Sequence, residues 1–199
     1  MANVSAVKAK FFEPDGVDDD QVSATGTATT LVIADGGPYG NLTETITIKS
    51  AAGNNSGNTF TITGTDGNGD AQTEDVTGPT AGATVNSANK YLTVTSIVSD
   101  GAIVTDIQAG ILGTGALTGT VFAGRTRIRG LTGTSKASAG NVVFKNTSIT
   151  GTSLLTVPLT GAVSSMDPYI PDNGVLFKAG AYVNLTAADI TGITVFYDG

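Results

Sequence analysis

The chain contains no cysteine, no histidine and no tryptophan among its 199 residues. Without cysteine there is neither a disulfide framework nor a thiolate metal ligand. Without histidine the commonest general base is missing, and with it the Ser–His and Cys–His nucleophile pairs and the usual zinc ligand sets. An enzyme built on this sequence would have to work with carboxylates, lysine or tyrosine alone. Charge and aromatic content are also low, at 14% and 6%, which argues against long solvated helices. No apolar run approaches the ~18 residues of a membrane-spanning helix, and the opening segment Met1–Lys10 has no continuous hydrophobic stretch of the signal-peptide kind. The expectation is a protein that neither spans a membrane nor carries a secretory leader.

What is present is glycine, 27 residues of it, together with threonine, alanine, valine and asparagine. Thr, Val and Ile fit a pleated surface, while Gly, Asn and Asp accept the positive φ of tight turns. Apolar residues recur at every second position along most of the chain, the period of half-buried strands. Val4–Phe11 reads as a first strand, followed by a turn at Glu13-Pro14-Asp15-Gly16 and a solvated acidic loop at Asp18-Asp19-Asp20. Leu31–Ala34 and Leu42–Lys49 read as a hairpin, with Leu42, Glu44, Ile46 and Ile48 on one face and Thr43, Thr45, Thr47 and Lys49 on the other. That Thr face should meet solvent or a neighbouring subunit. Thr59–Gly64 and Gln72–Val76 form a second hairpin about Asp66-Gly67-Asn68-Gly69-Asp70. Lys90–Ser99 and Ala102–Ala109 form a third, about Asp100-Gly101.

Roughly seven strands in this first part suit a sandwich. Gly110–Gly124, poor in charge, reads as a linker or as a strand lying on the sheet. Beyond it, strands are expected at Arg125–Leu131, Asn141–Asn146, Ser153–Leu159, Val175–Lys178, Ala181–Leu185 and Ile193–Tyr197. The length accommodates two domains of the ~100–150-residue kind. The predicted fold is therefore all-β, as two tandem β-sandwich or jelly-roll-like domains of short antiparallel strands, residues 1–124 and 125–199. No regular internal repeat is present, which disfavours a solenoid.

The net charge of −7 is unevenly spread. Residues 1–124 carry 13 acidic and 4 basic side chains, net −9, and residues 125–199 carry 4 acidic and 6 basic, net +2. Opposite signs on two parts of one chain favour association with each other or with neighbouring subunits. All three arginines, Arg125, Arg127 and Arg129, fall within five residues. The period of two would place them on one strand face as a positive stripe about 13 Å long, suited to bidentate pairing with carboxylates of a partner. An exposed edge guarded by charge is the plainer reading. Nucleic acid is disfavoured as a partner, because the chain as a whole is acidic and no aromatics interleave with the arginines.

Other chemistry is thinly represented. Asp66–Asp70 begins like a calcium loop, but Ala71 stands where that loop needs Gly and Thr77 where it needs the bidentate Glu. A hairpin turn explains the segment more simply. Glu44, Glu74 and Asp75 are the candidate carboxylates for glycoside hydrolysis, yet each sits in a Thr-rich amphipathic strand, and the Trp platforms common in sugar sites are lacking. No catalytic, metal or cofactor site is predicted. Phe144 and Phe177 read as core residues, while Tyr169, Tyr182, Phe196 and Tyr197 are candidates for an interface. Tyr169 is foremost among them, because Pro168 and Pro171 stiffen its loop and reduce the entropy lost on docking.

Asn58–Glu74 together with Leu92–Ile97, and Gly174–Leu185 together with Gly192–Tyr197, resemble segments of small structural proteins of tailed bacteriophages, especially marine ones. About half the chain is covered. The resemblance implies a virion component on the capsid surface, without catalytic residues, that binds the major capsid protein or other virion proteins. The expected form is a decoration or cement protein, a homo-oligomer with a trimer as the first guess. The alternatives are a tail, neck or fibre component contacting the host surface and, from a different class, a carbohydrate-binding or hydrolytic domain.

Overall fold

A computed structural model describes residues 6–199, and Val4 and Ser5 of the expected first strand lie outside them. The described chain is all-β, built from antiparallel strands in several sheets, with sandwich-like packing. Among the described residues no helix is long and apolar enough to cross a membrane.

Two compact units divide the chain, and each is stitched from separated segments. One comprises the described residues up to Pro14, then Gly40–Leu42 and Thr114–Gly199; the other comprises Asp15–Tyr39 and Thr43–Gly113. This differs from a tandem arrangement with a boundary near Gly124, and the reason is strand pairing between distant parts of the sequence. Strand β1 (Val7–Phe12) pairs along its length with β16 (Ile190–Asp198), from Val7↔Asp198 to Phe12↔Ile193. Strand β9 (Ala116–Phe122), within the stretch that reads as linker or strand, pairs with β15 (Ala181–Thr186). Local composition carries no trace of such partners.

In the first unit, one sheet runs β1, β16, β10 (Thr126–Ser135), β13 (Ser164–Met166), with β14 (Val175–Phe177) also on β10. Its second sheet runs β12 (Ser153–Thr160), β11 (Ala139–Asn146), β15, β9. Alternate residues of both sheets turn inward and form one core, including Phe12, Ile128, Leu131, Val142, Phe144, Phe177, Val183 and Val195. Edge strand β1 carries two lysines on its inner side. Lys10 Nζ donates to the Thr120 carbonyl at 2.7 Å and lies 5.5 Å from the Phe12 ring centre, and Lys8 sits 5.7 Å from that of Phe122. Burial pushes the Lys10 ammonium below its usual range.

In the second unit, one sheet runs β2 (Asp18–Gly26), β8 (Ile107–Ile111), β3 (Glu44–Ser50), β6 (Thr84–Tyr91), and the other runs β5 (Ala71–Thr77), β4 (Thr59–Thr65), β7 (Thr93–Ser99). Their core includes Tyr39, Ile46, Ile48, Phe60, Ile62, Tyr91, Ile97 and Ile107. The β4–β5 hairpin falls where the alternation places it, in uninterrupted register from Thr59↔Thr77 to Thr65↔Ala71. Phe60 and Ile62 are fully buried, and the threonines between them face outward.

Three expectations need correction here. Asp18–Asp20 is part of β2 rather than a loop. Leu31–Ala34 pairs with the Val22–Ser23 region and not with β3. Lys90–Ser99 and Ala102–Ala109 form no hairpin, since β7 joins β4 in one sheet while β8 lies between β2 and β3 in the other. The Thr face of β3 is also less open than its pattern suggests: Thr47 is buried and Thr45 and Lys49 are half-buried on an interior strand flanked by β8 and β6, and Thr43, just before the strand, is buried too.

Taken by unit, the charge asymmetry is steeper than by sequence halves. The first unit holds eight basic and five acidic side chains, net +3, and the second two basic and twelve acidic, net −10.

Candidate functional site

The arginine cluster is set by the start of β10. Thr126 and Ile128 turn into the core, so Arg127 turns out; Arg125 stands just before the strand and is exposed. Arg129 does not continue a straight row. The register with β16 shifts between Ile128 and Gly130, a bulge that takes Arg129 out of the ladder. Two of the three guanidinium groups are then used within the unit: Arg127 donates to the Asn173 carbonyl and Arg129 to the Asp172 carbonyl, both at 2.8 Å. Arg129 Nε also lies 3.3 Å from Asp198 Oδ2. Arg125 makes no hydrogen bond or ion pair among the described residues. It borders a shallow depression of about 250 Å³ with Thr126, Arg127, Leu176, Asp198 and Gly199.

The two carbonyls grasped by the arginines belong to the Pro-bounded loop between β13 and β14. Gly174, at φ 64°, closes that loop with its amide on the Pro171 carbonyl at 2.6 Å. Ile170 packs on the core of the unit, whereas Tyr169 is 84% exposed. Arg127, Arg129 and Tyr169 are therefore physically connected, the arginines bracing the loop from which the tyrosine projects. The other aromatics divide: Phe144, Phe177 and Tyr182 are buried, Phe196 is 36% exposed, and Tyr197 packs obliquely on Phe122 with ring centres 5.9 Å apart.

Of the candidate carboxylates, Glu74 and Asp75 have structural occupations. Glu74 accepts the amides of Ala88 at 2.6 Å and Asn89 at 2.9 Å, tying β5 to β6. Asp75, next along the strand and so on its opposite face, accepts the Thr61 hydroxyl at 2.7 Å. Asp66 turns back on its own loop and accepts the amides of Asn68 and Asp70, an Asx turn that needs no ion. Among the described residues no group of three or more acidic side chains is placed to hold a metal ion.

Glu44 is different. It is fully buried in β3, opposite Tyr91, and neither carboxylate oxygen is in hydrogen-bond geometry with a donor. Burial pushes its pKa up to about 7; Lys90 and the amides of Gly113 and Thr45 pull against this from looser geometry, and Asp15 adds to it. The neighbouring Tyr39 phenol is likewise pushed up, first by burial and then by Asp35, Glu44 and Asp15. The sequence gives Glu44 its inward position, because it shares the parity of Ile46 and Ile48. It gives no sign that the carboxylate lacks a partner.

These features define an all-β protein of sandwich-like units whose unusual groups are a braced, tyrosine-bearing loop, an arginine cluster and a strongly acidic second unit. Comparison with protein-family models, with curated proteins and with solved structures finds no match for the chain.

Proposed function

We propose that this chain is a structural protein of a tailed-phage virion, a capsid decoration or cement protein that binds the major capsid shell and stabilises it. The observation that carries the reading is the loop Asp167–Gly174, where a highly exposed tyrosine is held by two prolines and two arginine clasps. An exposed aromatic offers a large contact area, and a stiff support loses little entropy on docking. The occupation of Glu74, Asp75 and Asp66 within the fold supports a role in contact rather than catalysis. The resemblance of Asn58–Glu74 and Gly174–Leu185 to virion proteins supplies the phage setting. A cement contact of standard size would bury roughly 1,600 Å².

The test is electron microscopy of virions labelled with an antibody to this chain, beside virions from a phage carrying Tyr169→Ala. Label distributed over the head, reduced by the substitution, is the expected result. Label confined to the tail or neck would replace the cement reading with that of a tail component, and absence of label from virions would end both.

A further inference from the structure

We infer that the chain associates head to tail with copies of itself, the surface around Arg125 and Arg127 of its basic unit docking on the Asp18–Asp20 edge of the acidic unit in a second copy. The inference rests on the assembly reading only in taking the outer surfaces as the working parts of the molecule.

The acidic side has the form of a ready-made ligand. Asp18 and Asp20 are exposed and two residues apart on β2, which is an edge strand of its sheet. Asp19, between them, points the other way and pairs with Lys49. The unit's only other cation, Lys90, lies on β6 at the opposite edge of the same sheet. Asp15 and Asp35 add charge nearby, each with a carboxylate oxygen 3.4 Å from the Gln21 side-chain nitrogen. The Asp20 carboxyl is pushed above its usual range, first by its hydrogen bond with Asp18 and then by that residue's charge. Asp18 Oδ1 also accepts the Asp20 amide at 3.1 Å, which holds the two carboxyl groups close together.

The basic side is its counterpart. Arg125 has all its donors unused, and Arg127 commits one nitrogen to Asn173. Between them lies the depression bordered by Leu176 and Asp198, and Asp198 is already taken by Arg129. Each pair is two residues apart in the chain, so two guanidinium groups can pair with two carboxylates. Individual exposed ion pairs contribute little. The drive comes from the opposed fields of a +3 unit and a −10 unit, which steer encounter and make association strongly salt-dependent. Because the two surfaces differ, the contact is heterologous, and contacts of that kind close into rings or extend as filaments.

Charge reversal tests this on the purified full chain by sedimentation velocity. Wild type should associate at low salt and dissociate near 1 M, where the screening length is about 3 Å. Asp18→Lys with Asp20→Lys should weaken association about ten-fold or more, and so should Arg125→Glu alone, at an exposed position with no hydrogen bond or ion pair within the described residues. Mixing the two variants should restore association, since each then supplies the surface the other lacks. Wild type that stays monomeric at low salt, an arginine effect without an aspartate effect, or failure of the mixture to associate would each overturn the inference. The reading as a virion protein is judged separately by the label on the particle, so either can fail without the other.

Discussion

Changing Glu44 to Gln should make the acidic unit more stable at neutral and alkaline pH and leave it nearly unchanged in mild acid. In the wild type the carboxyl is fully buried without a hydrogen-bonding donor, and its pKa rises from 4.5 to about 7. The folded chain thus holds this proton more tightly than the unfolded chain does. The stability it contributes is complete below pH 4.5, falls as pH rises from there to about 7, and is flat beyond. At 1.36 kcal/mol per pH unit, the loss across that window is about 3 kcal/mol. Lys90 and Asp15 act on Glu44 with opposite signs, and Tyr39 remains neutral throughout because its own proton is held more tightly still. Gln preserves the shape and cannot ionise, so its stability should lack this slope. Urea titrations at pH 5 and pH 8, read by hydrogen exchange of the β3 amides so that the acidic unit is followed by itself, would measure it. Equal pH slopes in wild type and variant, or a variant less stable at both values, would refute the reasoning.

Glu74→Ala should cost about 1–3 kcal/mol, because the amides of Ala88 and Asn89 lose their acceptor, whereas Asp75→Ala should cost less, its partner being one exposed hydroxyl; chemical denaturation of the two variants compares them. Arg129→Ala should cost about 1 kcal/mol, since its ion pair with Asp198 is partly exposed, and should speed proteolytic cleavage within 167–174 by freeing the Asp172 carbonyl. Gly64→Ala should destabilise the unit by more than about 2 kcal/mol in a thermal melt, because a Cβ there would stand 1.9 Å from the Thr93 carbonyl oxygen, where the β4–β7 register shifts.

The class of fold was legible because period-two alternation is a local property. In β4 each threonine turns out and Phe60 and Ile62 turn in, and Asp66–Asp70 supplies turn residues where the ladder must reverse. The strands β11, β12, β15 and β16 cover the segments expected for them, while β10 begins one residue later than expected, at Thr126, and β14 ends one residue earlier, at Phe177. Partnership was not legible, because it is decided across the whole chain. Nothing in Val7–Phe12 names β16, and nothing in Ala102–Ala109 says that β8 will lie between β2 and β3. The acidic run failed for a related reason. Three consecutive aspartates look like a solvated loop until an edge strand turns two of them outward and gives the third to Lys49. At the arginine cluster the residues were evident, but the bulge at Arg129 and the loop carbonyls that occupy Arg127 and Arg129 depend on tertiary pairing. The lone buried carboxylate of Glu44 had no sequence signal beyond its parity.

The pairing of β1 with β16 has a consequence for how the protein is made. During translation β1 leaves the ribosome long before the strand that will receive it, while every strand of the acidic unit, β2 to β8, has been synthesised by residue 111. The nascent chain therefore has one unit able to mature early and another that keeps an unsatisfied strand waiting, with the Phe12 side of β1 open to chaperones or to premature stickiness until synthesis reaches β16.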